Sequence, residues 1–357
     1  MFGIFEGNNF IVFIVSIVIS NFAVFPVRNF GLKFGIIDKY ENRKDFKGVI
    51  VRIGGLSIML GCFISIYLCS YFLDFKFNYQ IIELSLVSFL FFCIGFIDDI
   101  FSIKPKPRLA LQAFATLLAF GFLENMNFPL FRDLIFGNYL NEFFLILSLI
   151  FTVFWITGVT NAINWTDGLD GLAGGVSVVL SSGLFFIFLS LDLYDYALYA
   201  IAIAGACYGF LIHNYKPASI LMGDGGSYFL GFNLASLSLI ASNALFLEAK
   251  IDNAFFASLF PFILLGVPII DMFLVILIRI YNLKSPFYPD RNHLHHRLLA
   301  LGINYKGTIY IILLLNIVFV SLVYFFFSKS EFIFISLIFY TSLLLSLKFL
   351  KKLLILK

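Results

Sequence analysis

The uneven placement of polar residues constrains this fold more than any other feature of the chain. Long hydrocarbon runs, several near 20 residues, are broken by five short polar strings: Asp98-Asp99, NAINWTDGLDG (161–171), HNYKPA (213–218), MGDGG (222–226) and NHLHHR (292–297). Each long run can cross about 30 Å of hydrocarbon as a helix. A carboxylate at the bilayer centre costs roughly 2.5–3.5 kcal/mol even on the lenient insertion scale, so membrane chains keep such groups for work or for loops. Of the 357 residues 61% are apolar and 13% charged, against about 25% charged in a soluble domain. This is the composition of a polytopic membrane protein. Only helices or closed barrels satisfy backbone groups in lipid, and the runs do not alternate with period two, so the predicted class is all-α.

The runs predict about eleven spans (ten to eleven), at 9–27, 54–73, 81–97, 109–123, 143–160, 172–191, 196–213, 228–247, 254–281, 307–327 and 332–347. They are read as one membrane domain, 1–357, with its motifs between 28 and 310. Of the 24 Lys and Arg, only Lys76, Arg132, Lys250 and Lys329 fall on one side of that alternation. By the positive-inside rule the richer side is cytoplasmic. That puts the N-terminus outside, the C-terminus in the cytoplasm and all five polar strings on the cytoplasmic face. The acidic start, with Glu6 and no Lys or Arg, suits a retained span rather than a cleaved signal. Cys62, Cys69, Cys93 and Cys207 lie in apolar runs without metal-like spacing, so neither a disulfide framework nor a zinc site is expected. No basic, aromatic-interleaved patch suggests nucleic acid. Membrane lipids are expected around the chain, and nothing excludes a homodimer.

Within the polar strings, Asp98 and Asp99 precede the basic stretch KPKPR. Adjacent carboxylates repel unless a cation is near; the plain reading is a solvated helix end paired with Lys104 or Lys106. In NAINWTDGLDGLAGG, Asp167 and Asp170 share a face of a helical turn, and Asn161 and Asn164 repeat the spacing one turn earlier. Helix capping alone needs one such residue, not four. MGDGGS projects Asp224 from a tight turn beside free amides. A hard cation such as Mg²⁺ takes oxygen ligands and keeps substrate phosphate in its shell; otherwise Asp224 is a turn residue.

His293, His295 and His296 stand between Arg291 and Arg297. A zinc site is one reading and a structural loop another, but guanidinium forks match phosphate oxygens, so phosphate binding is preferred. Together these groups suit transfer of a phosphoryl-linked group between anionic partners at the inner membrane face, which needs Mg²⁺, cationic clamps and positioning. A transporter of anionic solutes is the contrasting class. It would place ionisable groups near the midplane in repeated halves, whereas only Asp271 is clearly intramembrane, paired with a lysine or buried at a helix contact.

The strings FIDDI, NAINWTDGLDGLAGG, HNYKPASILMGDGGSYFLG and SPFYPDRNHLHHRLLALG, in this order, resemble the polyprenyl-phosphate N-acetylhexosamine-1-phosphate transferases of glycosyltransferase family 4. The HLHHRLL form is similar to the branch that loads N-acetylglucosamine-1-phosphate onto undecaprenyl phosphate. Its sister branch, the phospho-N-acetylmuramoyl-pentapeptide transferases of peptidoglycan synthesis, usually shows a continuous histidine run. The resemblance implies attack by lipid phosphate on the β-phosphorus of a UDP-N-acetylhexosamine, with Mg²⁺ (Mn²⁺ as the alternative) and loss of UMP. The product would begin a cell-envelope polysaccharide such as lipopolysaccharide, at a bacterial inner membrane.

The resemblance further implies that Asp224 is the principal metal ligand, with Asn164 the second. Asp98 and Asp99 would serve the lipid-phosphate side and, with Asp170, be catalytic. Asn161, Asp167, Asp170 and Asn214 would hold nucleotide and sugar, and His293, His295, His296 and Arg297 would bind phosphate or sugar. Two departures stand out. Phe46 and Val51 replace the family's usual His and Pro in RKDFKGVIVRIGG, with Lys44 and Lys47 kept, and Leu221 replaces a Phe suited to stacking on uracil. A phosphate monoester is mostly dianionic at pH 7, its second pKa being near ~6. Asp98 is therefore expected chiefly to position other groups and only secondarily to act as a base. Direct attack by an Asp on phosphorus is the alternative.

Overall fold

The computed structural model describes residues 2–39, 49–72, 78–122, 128–131, 141–247 and 254–327. In chain order these form α1 (Phe2–Phe34), β1 (Ile37–Lys39), β2 (Val49–Val51), α2 (Gly55–Phe72), α3 (Tyr79–Phe101), α4 (Pro105–Phe122) and α5 (Asn141–Thr166). They continue with α6 (Leu172–Ser190), α7 (Tyr194–Asn214), α8 (Gly223–Leu247), α9 (Ala254–Leu264), α10 (Gly266–Tyr281), α11 (Leu294–Ala300) and α12 (Tyr305–Phe327). Among the described residues the all-α expectation holds apart from one antiparallel ribbon, in which Ile37 faces Val51 and Lys39 faces Val49.

Among the described residues eight helices are long and apolar enough to cross a membrane, or nine if α9 and α10 are one broken span. The expected run at 254–281 is thus two helices, bent by 79°. Proline explains the break. Pro268 has no N–H to donate to Leu264, so the ladder of α9 cannot run on into α10. The expected run at 109–123 lies in α4, which opens with Lys106 and Arg108 and is not among the eight. The run at 332–347 and the departure at Phe46, with Lys44 and Lys47, lie outside the described residues.

Helices α6, α7 and α8 are apolar all round and buried along nearly their whole length, so they form the centre of the bundle. By contrast α1 and α5 expose Phe10, Phe22, Phe143 and Phe154, the surface expected to meet lipid. Lipid is as apolar as the core, so close approach and polar contacts must hold such helices together. Gly205 and Gly209, one turn apart on α7, supply the close approach to α1: a Cβ at Gly209 would run into the Ile17 carbonyl oxygen. A polar tie joins α3, α7 and α8, where Ser88 Oγ lies 2.8 Å from Asn233 Oδ1 and 3.1 Å from Tyr199 Oη.

Gly209→Val should therefore part α1 from α7 and destabilise the protein by about 1–3 kcal/mol, the usual cost of overpacking. Heating the detergent-solubilised protein with a thiol-reactive dye reads this directly, because Cys62, Cys69 and Cys207 are free and buried. An unchanged transition would show that this contact does not hold the two helices.

Candidate active site

The first turn of α8 organises the site. The segment before it is strapped to the exit of β2: Leu221 N–H donates to the Val51 carbonyl (2.8 Å), and Gly54 and Gly55 N–H donate to Leu221 O and Met222 O (2.8 and 2.7 Å). Gly223 then takes φ +78, and a Cβ there would strike the Arg52 carbonyl and lie 2.7 Å from Asp99 Oδ2. Only glycine makes this turn without strain. It delivers Asp224 to the start of α8, where the first N–H groups lack intrahelical partners.

Asp99, at the end of α3, supplies the partners. Its two carboxylate oxygens accept the Asp224 and Gly225 N–H groups at 2.8 and 2.9 Å, and its side chain is 1% exposed. An anion at a helix N-terminus is stabilised by the same geometry. Arg52 joins the two carboxylates, Nε lying 3.1 Å from Asp99 Oδ1 and Nη2 2.9 Å from Asp224 Oδ2. From the end of α5, Asn164 Nδ2 donates to Asp224 Oδ1 (2.7 Å) and to Ser227 Oγ (2.9 Å), so its carbonyl oxygen takes part in neither bond.

Asn164, Asp167, Asp170, Asn214 and Asp224 line one cavity of about 350 Å³, with Arg52, Asp38 and Leu221 in its walls. Five of the residues expected from sequence therefore meet. Loss of water around Asp167, and then the charge of Asp224, raise its pKa well above the ordinary carboxylate range, against the pull of Arg52. Asn214 is buried and works inward: its Oδ1 accepts Gly171 N–H and its Nδ2 donates to the Ile220 carbonyl, both at 2.9 Å. It joins the Asp167–Asp170 turn to the segment before α8. The carbonyl of Asp170 accepts the Tyr305 hydroxyl at 3.0 Å.

Other expected residues are placed differently. Asp98 is buried and does not line the cavity; it accepts Ile103 N–H (2.7 Å), the Tyr228 hydroxyl (2.9 Å) and Arg108 Nη1 (3.2 Å). Those bonds hold the α3–α4 turn. Asn161 is also buried off the cavity, its Nδ2 donating to Gln112 Oε1 and to the Thr157 carbonyl, both at 2.7 Å. Arg297 is exposed on α11. His295 packs against Gly168, where a Cβ would collide with its ring, and burial with the nearby His296 and His293 lowers its pKa to about 3. Burial likewise lowers the pKa of His296.

His293 Nδ1 lies 2.9 Å from Asp271 Oδ2, and Asp271 Oδ1 accepts Leu294 N–H at 2.7 Å. Asp271 thus pairs with a histidine rather than a lysine. It anchors the start of α11, and Arg279 anchors the loop before it. Arg279 grips Asp290 through two bonds of 2.9 and 3.0 Å and lies 4.8 Å from the Trp165 ring centroid. That grip holds the Asp290 pKa down to about 2. Sequence reasoning passed over Arg52, Arg279 and Asp290. A charge count registers Arg52 and Arg279 only as cations of the richer side and leaves Asp290 out, although Arg52 stands two residues before Gly54 and Asp290 two residues before the histidine string.

The donor set suits a hard cation better than zinc. Among the described residues no three His, Cys, Asp or Glu converge as a metal set, so no closed zinc-type centre is offered. The carboxylates of Asp167, Asp170 and Asp224 and the amide of Asn164, all lining one cavity, instead match a cation that binds through one or two carboxylates and fills its shell with substrate oxygens and water.

Comparison with known proteins gives a consistent picture. The model of glycosyl transferase family 4 matches residues 81–242. The chain is 30% identical over 311 residues to the probable undecaprenyl-phosphate N-acetylglucosaminyl 1-phosphate transferase of Bacillus subtilis, covering 87% of this chain and 82% of that protein. It is 28% identical over 290 residues to the undecaprenyl-phosphate alpha-N-acetylglucosaminyl 1-phosphate transferase of Escherichia coli, covering 78% and 73%. A phospho-N-acetylmuramoyl-pentapeptide-transferase of Listeria monocytogenes is 32% identical over 250 residues, covering 64% and 73%.

The buried His295 generates a pH test. Its pKa is about 3 when folded and about 6.5 when unfolded. The unfolded state therefore binds the extra proton between these values. The stability associated with neutral His295 is complete above about 6.5 and is lost as pH falls toward 3, at about 1.4 kcal/mol per pH unit. His295→Gln should narrow the gap between unfolding temperatures at pH 7 and pH 5. An equal gap in the two proteins would show that His295 does not titrate in this way.

Proposed function

The chain belongs to glycosyl transferase family 4, and from that premise we propose that it transfers an N-acetylhexosamine-1-phosphate from a UDP-sugar to undecaprenyl phosphate. N-acetylglucosamine-1-phosphate is the first candidate for the group transferred. The reaction would take place on the cytoplasmic face of a bacterial inner membrane and begin a cell-envelope polysaccharide. The observation that carries this reading is Asp224, held at the start of α8 beside Asn164 in a cavity shared with Asp167, Asp170 and Asn214.

In the proposed reaction a lipid-phosphate oxygen attacks the β-phosphorus of the UDP-sugar. The bond from that phosphorus to the bridging oxygen breaks, and UMP leaves with the electron pair. Bound Mg²⁺, or Mn²⁺, would supply Lewis-acid neutralisation of the phosphate charge. Asp224 and Asn164 would hold it. Asp99 keeps Asp224 in place through the two amides of α8. Asp98 already accepts three bonds away from the cavity, which supports a positioning role and leaves it poorly placed to take a proton. Asp167 and Asp170 would meet the nucleotide and sugar, with Asn214 fixing their turn from behind.

The bend between α9 and α10 offers a place for the acceptor's hydrocarbon. Phe128, Phe151, Trp155, Gly158, Phe262 and Met272 line an apolar cavity of about 120 Å³. A Cβ at Gly158 would have only Met272 Cε near it, at 3.9 Å, so a larger side chain there would fill the cavity rather than disturb the bundle. Gly158→Leu should raise the KM for a polyprenyl phosphate about tenfold, with the KM for the UDP-sugar unchanged. Equal KM values for the acceptor in both proteins would take the hydrocarbon out of this cavity.

Phospho-N-acetylmuramoyl-pentapeptide transfer is the second reading; it would use the same centre and is favoured by the likeness to the Listeria relative. Both are decided by incubating membranes with undecaprenyl phosphate and a panel of UDP-sugars, including UDP-N-acetylglucosamine and UDP-N-acetylmuramoyl-pentapeptide, and measuring UMP. Release is expected with the first, and Asp224→Asn should cut it at least about a hundredfold with the unfolding temperature kept. Release only with the pentapeptide donor would move the chain to the other branch. No release with any UDP-sugar would remove the activity itself.

A further inference from the structure

We propose that Arg52 is an exchangeable internal cation: its guanidinium holds the Asp224 carboxylate until a divalent cation displaces it. The inference rests on the reading of Asp224 as the cation centre and adds a competitor to it. Arg52 has a fixed base and a partly exposed end. Its N–H donates to the Ile36 carbonyl at 3.3 Å, and the Gly54 and Gly55 amides that follow are tied to Leu221 and Met222. Its side chain is 39% exposed and lies in the cavity wall.

The two contacts of the side chain are unequal. Asp99 is 1% exposed and already accepts both amides at the start of α8, so the Nε contact at 3.1 Å is an anchor. Asp224 is 14% exposed and lines the cavity, so the Nη2 contact at 2.9 Å is the one open to exchange. With Asn164 on Oδ1 and Arg52 on Oδ2, both oxygens of Asp224 are held by protein donors. A cation cannot take Oδ2 while an N–H of like charge occupies it. Once displaced, Nη2 is free at the cavity wall, and a guanidinium so placed matches the oxygens of a diphosphate. Cation binding would then prepare the site for the anionic donor.

Mn²⁺ binding to the purified full-length protein, followed by the electron paramagnetic resonance of free Mn²⁺, tests the exchange without substrate or turnover. Asp224→Asn should lose the site. Arg52→Gln should bind Mn²⁺ about tenfold more tightly than wild type, and Arg52→Lys severalfold more tightly. The lysine variant decides the matter, because it keeps the charge but cannot fork across two carboxylates. A lysine variant equal to wild type, beside a tighter glutamine variant, would make Arg52 a distant point charge and overturn the exchange. Unchanged or weaker binding by both variants would also overturn it, with the cation centre standing because wild type binds and Asp224→Asn does not. Should Arg52→Gln fail to fold, Arg52→Lys alone decides between these results. Equal binding by wild type and Asp224→Asn, or none by either, would remove the cation centre and the exchange together.

Discussion

Everything at the centre depends on gathering negative charge without letting it fly apart. Asp99 and Asp224 share Arg52, and Asp167 lines the same cavity. Two like charges about 4 Å apart repel by about 4 kcal/mol at the effective dielectric near a protein surface. Two devices offset this repulsion. The Asp224 and Gly225 amides at the start of α8 donate to Asp99, and Arg52 is placed between the carboxylates. Such a centre is crowded with carboxylates that are already bonded, and a divalent cation has an evident reason to enter it.

The bundle supplies rigidity of a kind that side chains alone cannot. The turn between α5 and α6, which carries Asp167 and Asp170, is held on three sides. Asn214 bonds to Gly171 N–H, Tyr305 to the carbonyl of Asp170, and the ring of His295 packs against Gly168. The histidine string is thereby tied to the acidic turn through contact. Its own start is fixed by Asp271, and the loop before it by Arg279. A family signature that reads as a row of ligands is, for His293 and His295, partly a row of struts.

Comparing particular residues shows where sequence reasoning succeeds and where it stops. Asn164, Asp167, Asp170, Asn214 and Asp224 announce themselves because polar groups are costly beside a bilayer, and all five line the cavity. Asp98 and Asn161 announce themselves equally, yet each turns away to bond neighbouring helices. A helix end holds several polar residues within one turn, and only the packing of adjacent helices decides which face the cavity. Arg52 gave no such signal. It lies in the most basic loop of the chain, and its partners are 47 and 172 positions away.

The sequence by itself determined the class of the protein and the inventory of its chemistry. Hydrocarbon runs of helical length leave a chain few alternatives in lipid, and the polar strings between them name the groups available for work. Tertiary structure alone showed that 254–281 is not one straight helix but two, bent by 79° where α9 gives way to α10. It alone turned Asp99 into the cap of a distant helix, paired Asp271 with His293, and brought Arg52 to Asp224. The physical reason is common to all of these. Burial cost is a property of a residue and can be read locally, whereas a hydrogen bond needs a partner whose position is fixed only when remote helices pack.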